Sequence, residues 1–243
     1  MENINKPLVV ITGASSGIGE ATARVFSELG FPLLLIARRL DKLEALNLPN
    51  TICRKVDVVE IEEIRSAVKD AEKVYGPADC IINNAGVMLL GDVAVQDPKE
   101  WKNMLDVNVL GVLNGMQVVL SDMKDRGRGT IINVSSVAGR KTYGDHAAYC
   151  GTKFAVHALT DRAREEAALA GVRMVTIAPG AVETELLGHT TNEDMVKDYE
   201  DWKKEIGGVL RSEDIANAIW YAYNQPQGVN VREIVIAATK QEP

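Results

Sequence analysis

The chain has 243 residues, 46% of them hydrophobic and 25% charged, which suits one large α/β domain with a sheet buried on both faces. A formal net charge of −7 argues against nucleic-acid binding and gives no support for docking to an anionic membrane, and no apolar run reaches the length of a bilayer span. The opening residues 1–7 lack the apolar core of a secretory signal. Cys53, Cys80 and Cys150 are scattered without metal or disulfide spacing, which predicts reduced thiols and a cytoplasmic setting.

Short apolar runs alternate with helical patterns from end to end. Strands are predicted at 8–11, 33–37, 52–55, 80–83, 130–134, 173–178 and 233–237. Most are continuous Val/Ile/Leu runs, the pattern of parallel strands covered on both sides. Helices are predicted over 17–29, 101–123, 149–170 and 212–224, and Ile61, Ile64, Val68, Ala71 and Val74 mark another by their steps of three and four. Ser212 with Asp214 reads as a capped helix start. Together these predict a Rossmann-type, doubly wound, parallel seven-stranded sheet with helices on both faces, in a single domain over 1–243. The least regular stretch, 183–208, is charged, holds Gly188, Gly207 and Gly208, and follows a strand. It reads as a substrate loop, either a surface loop with a short helix or a mobile lid.

Tyr149 and Lys153 are four residues apart, so phenol and ammonium share one helix face. A cation about 4 Å from the phenol is worth roughly 4 kcal/mol at an effective dielectric near 20, or about three pKa units. That would bring the phenol toward the range of a general acid and base. Ser136 lies thirteen residues upstream of Tyr149. Near the N-terminus, Thr12–Gly19 joins the first strand to the first helix. Glycines there allow a tight turn and close backbone approach to a diphosphate, whose charge the helix start favours. The second strand ends in Ala37-Arg38-Arg39 with no carboxylate before Asp41. An acid would repel a ribose 2′-phosphate and guanidinium would bind it, which favours NADP(H) over NAD(H), with Arg38 the main contact and Arg39 a second or an adenine-stacking group. Two solvated arginines ahead of a helix are the alternative, and Asp41 reads as a helix cap.

Thr12–Gly19 with its G-x-x-x-G-x-G spacing, Asn83-Asn84-Ala85-Gly86, Ser136, Tyr149 with Lys153, and Pro179-Gly180 resemble, in this order, the short-chain dehydrogenase/reductase family. The resemblance covers essentially the whole chain. It implies NADP(H)-dependent hydride transfer between nicotinamide C4 and a carbonyl or alcohol. Asn108, Ser136, Tyr149 and Lys153 are the implied catalytic set. Tyr149 is acid in reduction and base in oxidation, Lys153 stabilises phenolate and binds the nicotinamide ribose, and Ser136, rather than the adjacent Ser135, holds the substrate oxygen. Asn108 bends its helix and keeps a water that relays protons to the lysine. Implied cofactor contacts are Gly13, Ser15, Ser16, Gly17, Ile18 and Gly19 in the turn, Arg38 and Arg39, Asp57 and Val58 at the adenine, and Asn84, Ala85 and Gly86 at the crevice. Tyr149 and Lys153 join them, with Pro179, Gly180, Val182 and Thr184 at the carboxamide end; Asn83 is also expected to touch cofactor. No metal is implied.

The segment 229–236, with Ala37-Arg38-Arg39 and Pro226, is similar to the branch holding NADP-dependent 3-hydroxy acid (serine-type) dehydrogenases. Gly86-Val87-Met88-Leu89-Leu90-Gly91 is similar to clavaldehyde-type reductases. A small 3-hydroxy acid or a related aldehyde or ketone is the expected small-molecule substrate, in a pocket of residues 88–90, 139–143, His146 and 183–208, where Arg140 and Lys141 could attract a carboxylate. A 3-oxoacyl-carrier-protein reductase ranks second, because this chain ends Ile236-Ala237-Ala238-Thr239-Lys240 where that branch has D-G-G. A non-catalytic NADP-binding sensor is the alternative of another class. By resemblance, a homodimer or homotetramer forms through the helices at 101–123 and 149–170. His146 could face substrate, His157 reads as helix packing, and Cys150 beside Tyr149 as a small packing residue open to alkylation.

Overall fold

The computed structural model describes residues 6–242; the reading of the first five residues lies outside them. Seven parallel strands form one sheet in the order β3-β2-β1-β4-β5-β6-β7, with β1 at Leu8–Thr12, β2 at Leu33–Ala37, β3 at Thr51–Lys55, β4 at Ala78–Asn83, β5 at Gly129–Val134, β6 at Val172–Pro179 and β7 at Glu233–Ile236. The central strands are buried along their whole length, as their unbroken apolar runs predict.

Strand side chains alternate between faces, and the two faces build two apolar layers. Leu8, Val10, Leu34, Ile36, Ile81 and Ile131 pack with α3 (Ile61–Tyr75), α5 (Gly111–Arg126) and α6 (Ala147–Ala168). Val9, Ile11, Leu33, Leu35, Ile82, Ile132 and Ile177 pack with α1 (Gly17–Glu28) and α8 (Ser212–Tyr223). Phe26, Phe31, Trp220 and Tyr223 close the second layer with ring centroids 5.4 to 6.1 Å apart. Strand order reverses between β1 and β4, so the loops that leave their C-terminal ends diverge to opposite faces. Ligand crevices of doubly wound sheets open at such a point.

Four elements differ from expectation. The predicted helix 101–123 begins earlier, at α4 (Pro98–Leu105), because Asp97 caps it by accepting from the Lys99 amide at 2.9 Å and Pro98 suits the first turn. It then passes through a π turn at Asp106–Leu110 before α5. By length and composition the joined stretch Pro98–Arg126 could cross a bilayer, but half of its most apolar window is buried, and Asn114 bonds the carbonyls of Val58 and Val59 at 2.9 and 3.0 Å. It packs as a core helix. At α8 the cap is Arg211, whose amide donates to Asp214 Oδ2 at 2.8 Å, so Asp214 caps as expected while Ser212 already sits in the helix. Asp41 likewise lies in the first turn of α2 (Leu40–Ala45) rather than capping it.

The segment 183–208 is more ordered in its secondary structure than a loop with a short helix. A 3₁₀ turn at Glu185–His189 leads to α7 (Glu193–Glu205), which Asn192 caps through the amides of Asp194 and Met195. Met195, Val196, Tyr199 and Trp202 form its apolar stripe, and the first three pack on the first core layer.

Candidate active site

β1 ends at Thr12, whose hydroxyl accepts from the amides of Asn84 (2.9 Å) and Ala85 (3.0 Å) and so ties the two strand ends at the reversal point. Gly13 follows at φ +63°, where a Cβ would lie 2.7 Å from Ala85 Cα. Gly19 does not line the cavity as expected: a Cβ there would lie 2.3 Å from the Gly13 carbonyl, so its task is to let α1 close on the turn. Asn83 is also turned away. It is 2% exposed and donates to Asn133 Oδ1 at 2.8 Å behind the sheet, because adjacent strand residues face opposite sides.

A cavity of about 600 Å³ runs from this turn along the strand ends. Gly13, Ser15, Ser16, Gly17, Ile18, Arg38, Arg39, Asp57, Val58, Asn84, Ala85, Gly86, Pro179, Gly180, Val182 and Thr184 all line it, together with Ser136, Tyr149 and Lys153. Arg39 donates to Ser15 Oγ at 3.0 Å and to Ser16 Oγ at 2.9 Å, and pairs with Glu185 at 2.8 Å. Lys42 pairs with the other oxygen of Glu185, also at 2.8 Å. Lys42 and Arg39 together hold the Glu185 carboxyl down to about 2. Arg38 lines the same end without an ion pair among the described residues.

At the middle of the cavity Ser136 opens a 3₁₀ turn, Val137–Gly139; its Oγ accepts from the Ala138 amide at 3.1 Å and its hydroxyl donates to the Pro179 carbonyl at 3.4 Å. Tyr149 and Lys153 lie on the first turns of α6 and are 6% exposed each. Lys153 Nζ donates to the Val134 carbonyl at 3.1 Å and stands 5.6 Å from the centre of the Tyr149 ring. Burial pushes the phenol well above its ordinary value, with the nearby Ser136 hydroxyl opposing, and burial pulls Lys153 down to about 8. The expected lowering of the phenol by its ammonium neighbour is therefore not what this geometry gives. The ammonium serves a carbonyl and the ring rather than the hydroxyl, and desolvation outweighs it. A phenol so placed is protonated at neutral pH and can give a proton.

Asn108 sits in the π turn, 1% exposed and outside the cavity wall. Its Oδ1 accepts from the Val87 amide at 2.8 Å, and its Nδ2 donates to the Val87 carbonyl (2.9 Å) and to Thr152 Oγ1 (3.1 Å). Ser135 is structural, with Oγ donating to the Lys153 carbonyl at 3.0 Å and meeting His157 Nδ1 at 3.0 Å. His157 Nε2 reaches Glu233 at 3.1 Å, and Glu233 also takes Arg140 at 2.7 Å. Arg140 and Lys141 do not line the cavity, whereas His146 does. Cys150 is 1% exposed and burial raises its thiol, which argues against ready alkylation.

Sequence reasoning missed Lys42, which reaches the site through Glu185, while Glu185, Tyr199, Trp202 and Lys203 line the cavity from within the segment 183–208 expected there without having been singled out. Aromatic residues at a three-residue step inside a charged segment were the available signal for Tyr199 and Trp202.

A parallel doubly wound sheet with a glycine turn at its reversal point defines a dinucleotide-binding class of protein. Residues 7–195 match the family model for short chain dehydrogenases, and the chain belongs to that family. It is 40% identical over 247 residues to an uncharacterised oxidoreductase of Staphylococcus saprophyticus, covering 99% of each chain. It is 37% identical over 235 residues to a glycine betaine reductase of Emericella nidulans, covering 94% of this chain but 18% of that much longer protein. Among solved structures, the closed form of a serine dehydrogenase complexed with NADP+ superposes with a TM-score of 0.88 at 27% identity, over 97% of this chain and 96% of that one.

Proposed function

We propose that this protein is an NADP(H)-dependent oxidoreductase that moves a hydride between nicotinamide C4 and the carbon of a small aldehyde or ketone and its alcohol, with Tyr149 as proton donor and acceptor. The observation that carries this reading is one continuous cavity. Ser136, Tyr149 and Lys153 form its wall, and it runs on into the glycine turn and the Arg38–Arg39 end. The residues fit a dinucleotide bearing a 2′-phosphate. A turn in which added Cβ atoms would strike backbone leaves room for a diphosphate against main chain. Two guanidinium groups at the β2 end meet a phosphate better than a hydroxyl. When bound, the nicotinamide supplies or takes the hydride.

The chain's own residues do the rest. Ser136 holds the carbonyl oxygen, and Tyr149, protonated at neutral pH, gives its proton to that oxygen as negative charge develops. Lys153, charged below about 8, steadies the phenolate that remains and bonds the nicotinamide ribose. Asn108 fixes the segment after β4 at Val87 and Thr152 of α6, and so positions the wall that carries Lys153.

Within the expected substrates, a small 3-hydroxy acid or a related aldehyde or ketone, the cavity favours the carbonyl compounds that carry no carboxylate. A carboxylate needs a cation, but Arg140 is committed to Glu233, and Lys203 is held by Glu183 at 2.8 Å and Glu200 at 2.9 Å. The likeness to part of a glycine betaine reductase brings substrates with a quaternary ammonium into that class. Exposed Leu105, Leu110, Leu113 and Phe154 on the 98–126 stretch and α6 support assembly through those helices, as a homodimer or homotetramer. NADPH oxidation against a panel of carbonyls tests the function. Turnover that depends on Tyr149 supports it, whereas tight NADPH binding with no carbonyl consumed would leave a cofactor sensor.

A further inference from the structure

Beyond Tyr149 the cavity is walled by rings. Tyr143 and His146 come from the approach to α6, Tyr149 from its first turn, and Tyr199 and Trp202 from α7. They run in sequence, with centroids 5.9 Å apart for Tyr143 and His146, 6.2 Å for His146 and Tyr149, 6.2 Å for His146 and Tyr199, and 5.2 Å for Tyr199 and Trp202. Their planes are inclined by 35 to 63°, so they stand as walls rather than as a flat stack.

The rings at this end are uncharged at neutral pH. Burial lowers the His146 imidazole, so the ring is neutral at pH 7, and burial raises Tyr143 and pushes Tyr199 up to about 12. None of the rings carries charge, and their faces are negative by quadrupole. Lys203, the ammonium that α7 brings to this end, is bound by two carboxylates, Glu183 and Glu200, so that group is net negative, while Lys153 stands 5.6 Å from the centre of the Tyr149 ring and Lys141, outside the cavity wall, 5.8 Å from that of Tyr143. A primary ammonium entering here would give up strong hydrogen bonds to water for ring faces. A trimethylammonium has no N–H to lose.

We propose that these rings form a cage for a quaternary ammonium group, and that the substrate is a short aldehyde–alcohol pair carrying that group one or two carbons from the reacting carbon. The inference rests on the oxidoreductase reading above and names its substrate class. The short span follows from the 6.2 Å between the rings of His146 and Tyr149, which sets the cage beside the proton donor. In reduction a hydride is added to the aldehyde carbon, the C=O π pair moves to oxygen, and Tyr149 protonates that oxygen. The products are the alcohol and the oxidised cofactor, with the ammonium unchanged.

The test compares betaine aldehyde with 3,3-dimethylbutanal, its uncharged twin in shape, beside short unbranched aldehydes, all with NADPH. The expected kcat/KM is about tenfold or more in favour of the cation. Tyr199→Leu and Trp202→Leu should bring that ratio to about one, and Tyr199→Phe and Trp202→Phe, which keep a ring, should retain the preference. Tetramethylammonium chloride should compete with betaine aldehyde and leave NADPH binding unchanged. A ratio near one in the unmodified enzyme while other aldehydes react, or a preference that survives both leucine variants, overturns the cage. If no aldehyde reacts although NADPH binds, the oxidoreductase reading itself has failed, and the cage with it.

Discussion

The 2′-phosphate end of the cavity offers two arginines in different states, and their removal should have unequal consequences. Arg38 has no ion pair among the described residues, so a phosphate there gains it outright. A hydrogen bond to a charged group is worth ~1.5–3 kcal/mol, so Arg38→Ala should weaken NADPH roughly 10- to 150-fold. NADH, which lacks the phosphate, should change by less than about threefold. Arg39 is already bound to Glu185 and to the hydroxyls of Ser15 and Ser16. It exchanges one anion for another, so Arg39→Ala should cost less, about two- to fivefold. Glu185 is half exposed, and each of its two pairs is worth ~0.2–1 kcal/mol. Glu185→Gln frees both cations and should tighten NADPH by about fivefold, with no gain for NADH. In an Arg39→Ala background that gain should shrink, since one competing pair is already gone. Titration of NADPH and NADH by fluorescence in the unmodified protein and these four variants reads these values, and the NADPH effects should fade as salt rises. Equal losses for the two cofactors in Arg38→Ala, or looser NADPH in Glu185→Gln, would refute the reasoning.

Lys153 is held down to about 8 by burial while burial keeps Tyr149 protonated, so the rate of carbonyl reduction should be level below pH 8 and decline above it as the ammonium is lost; a profile still level at pH 10 would contradict this. The same burial makes the ammonium a cost to folding. Its folded pKa is depressed, so the unfolded chain binds more protons between about 8 and 10.5, and the cost is full below 8 and relieved as pH rises through that window. Lys153→Met should then abolish turnover yet raise stability at pH 7, by up to about 3 kcal/mol, measured by urea unfolding. Gly19→Ala should weaken NADPH and NADH alike, since its Cβ would press on the Gly13 carbonyl at 2.3 Å, whereas Gly188→Ala, with open space around it, should leave both within error in the same titration.

The sheet was legible because buried parallel strands need nothing but continuous apolar runs, and Leu33–Ala37 or Val172–Pro179 could hardly be placed elsewhere. The candidate site was legible at Tyr149 and Lys153 because they obey a local rule, four residues on one helix. What local rules leave open is direction and depth. Spacing put the ammonium near the phenol but could not say that Nζ turns to the Val134 carbonyl or that burial dominates both groups. Asn83 and Asn84 are neighbours in sequence, and only the register of β4 decides that one faces Asn133 and the other the glycine turn. Gly19 looked like a cavity residue because its neighbours Gly17 and Ile18 are, yet its lack of a side chain serves helix closure. Glu185 meets Arg39 across 146 residues, a distance at which no pattern speaks. The ring cluster draws on two segments far apart in the chain, so it emerges only when α7 is laid over the start of α6.

The most direct test is single-turnover NADPH oxidation with a carbonyl that the enzyme reduces, comparing the unmodified chain with Tyr149→Phe. Loss of the proton donor should slow the hydride step by roughly 10²- to 10⁴-fold while NADPH binds as before. An undiminished rate in the phenylalanine variant would mean that the proton comes from elsewhere and that the wall of Ser136, Tyr149 and Lys153 is not the reacting site.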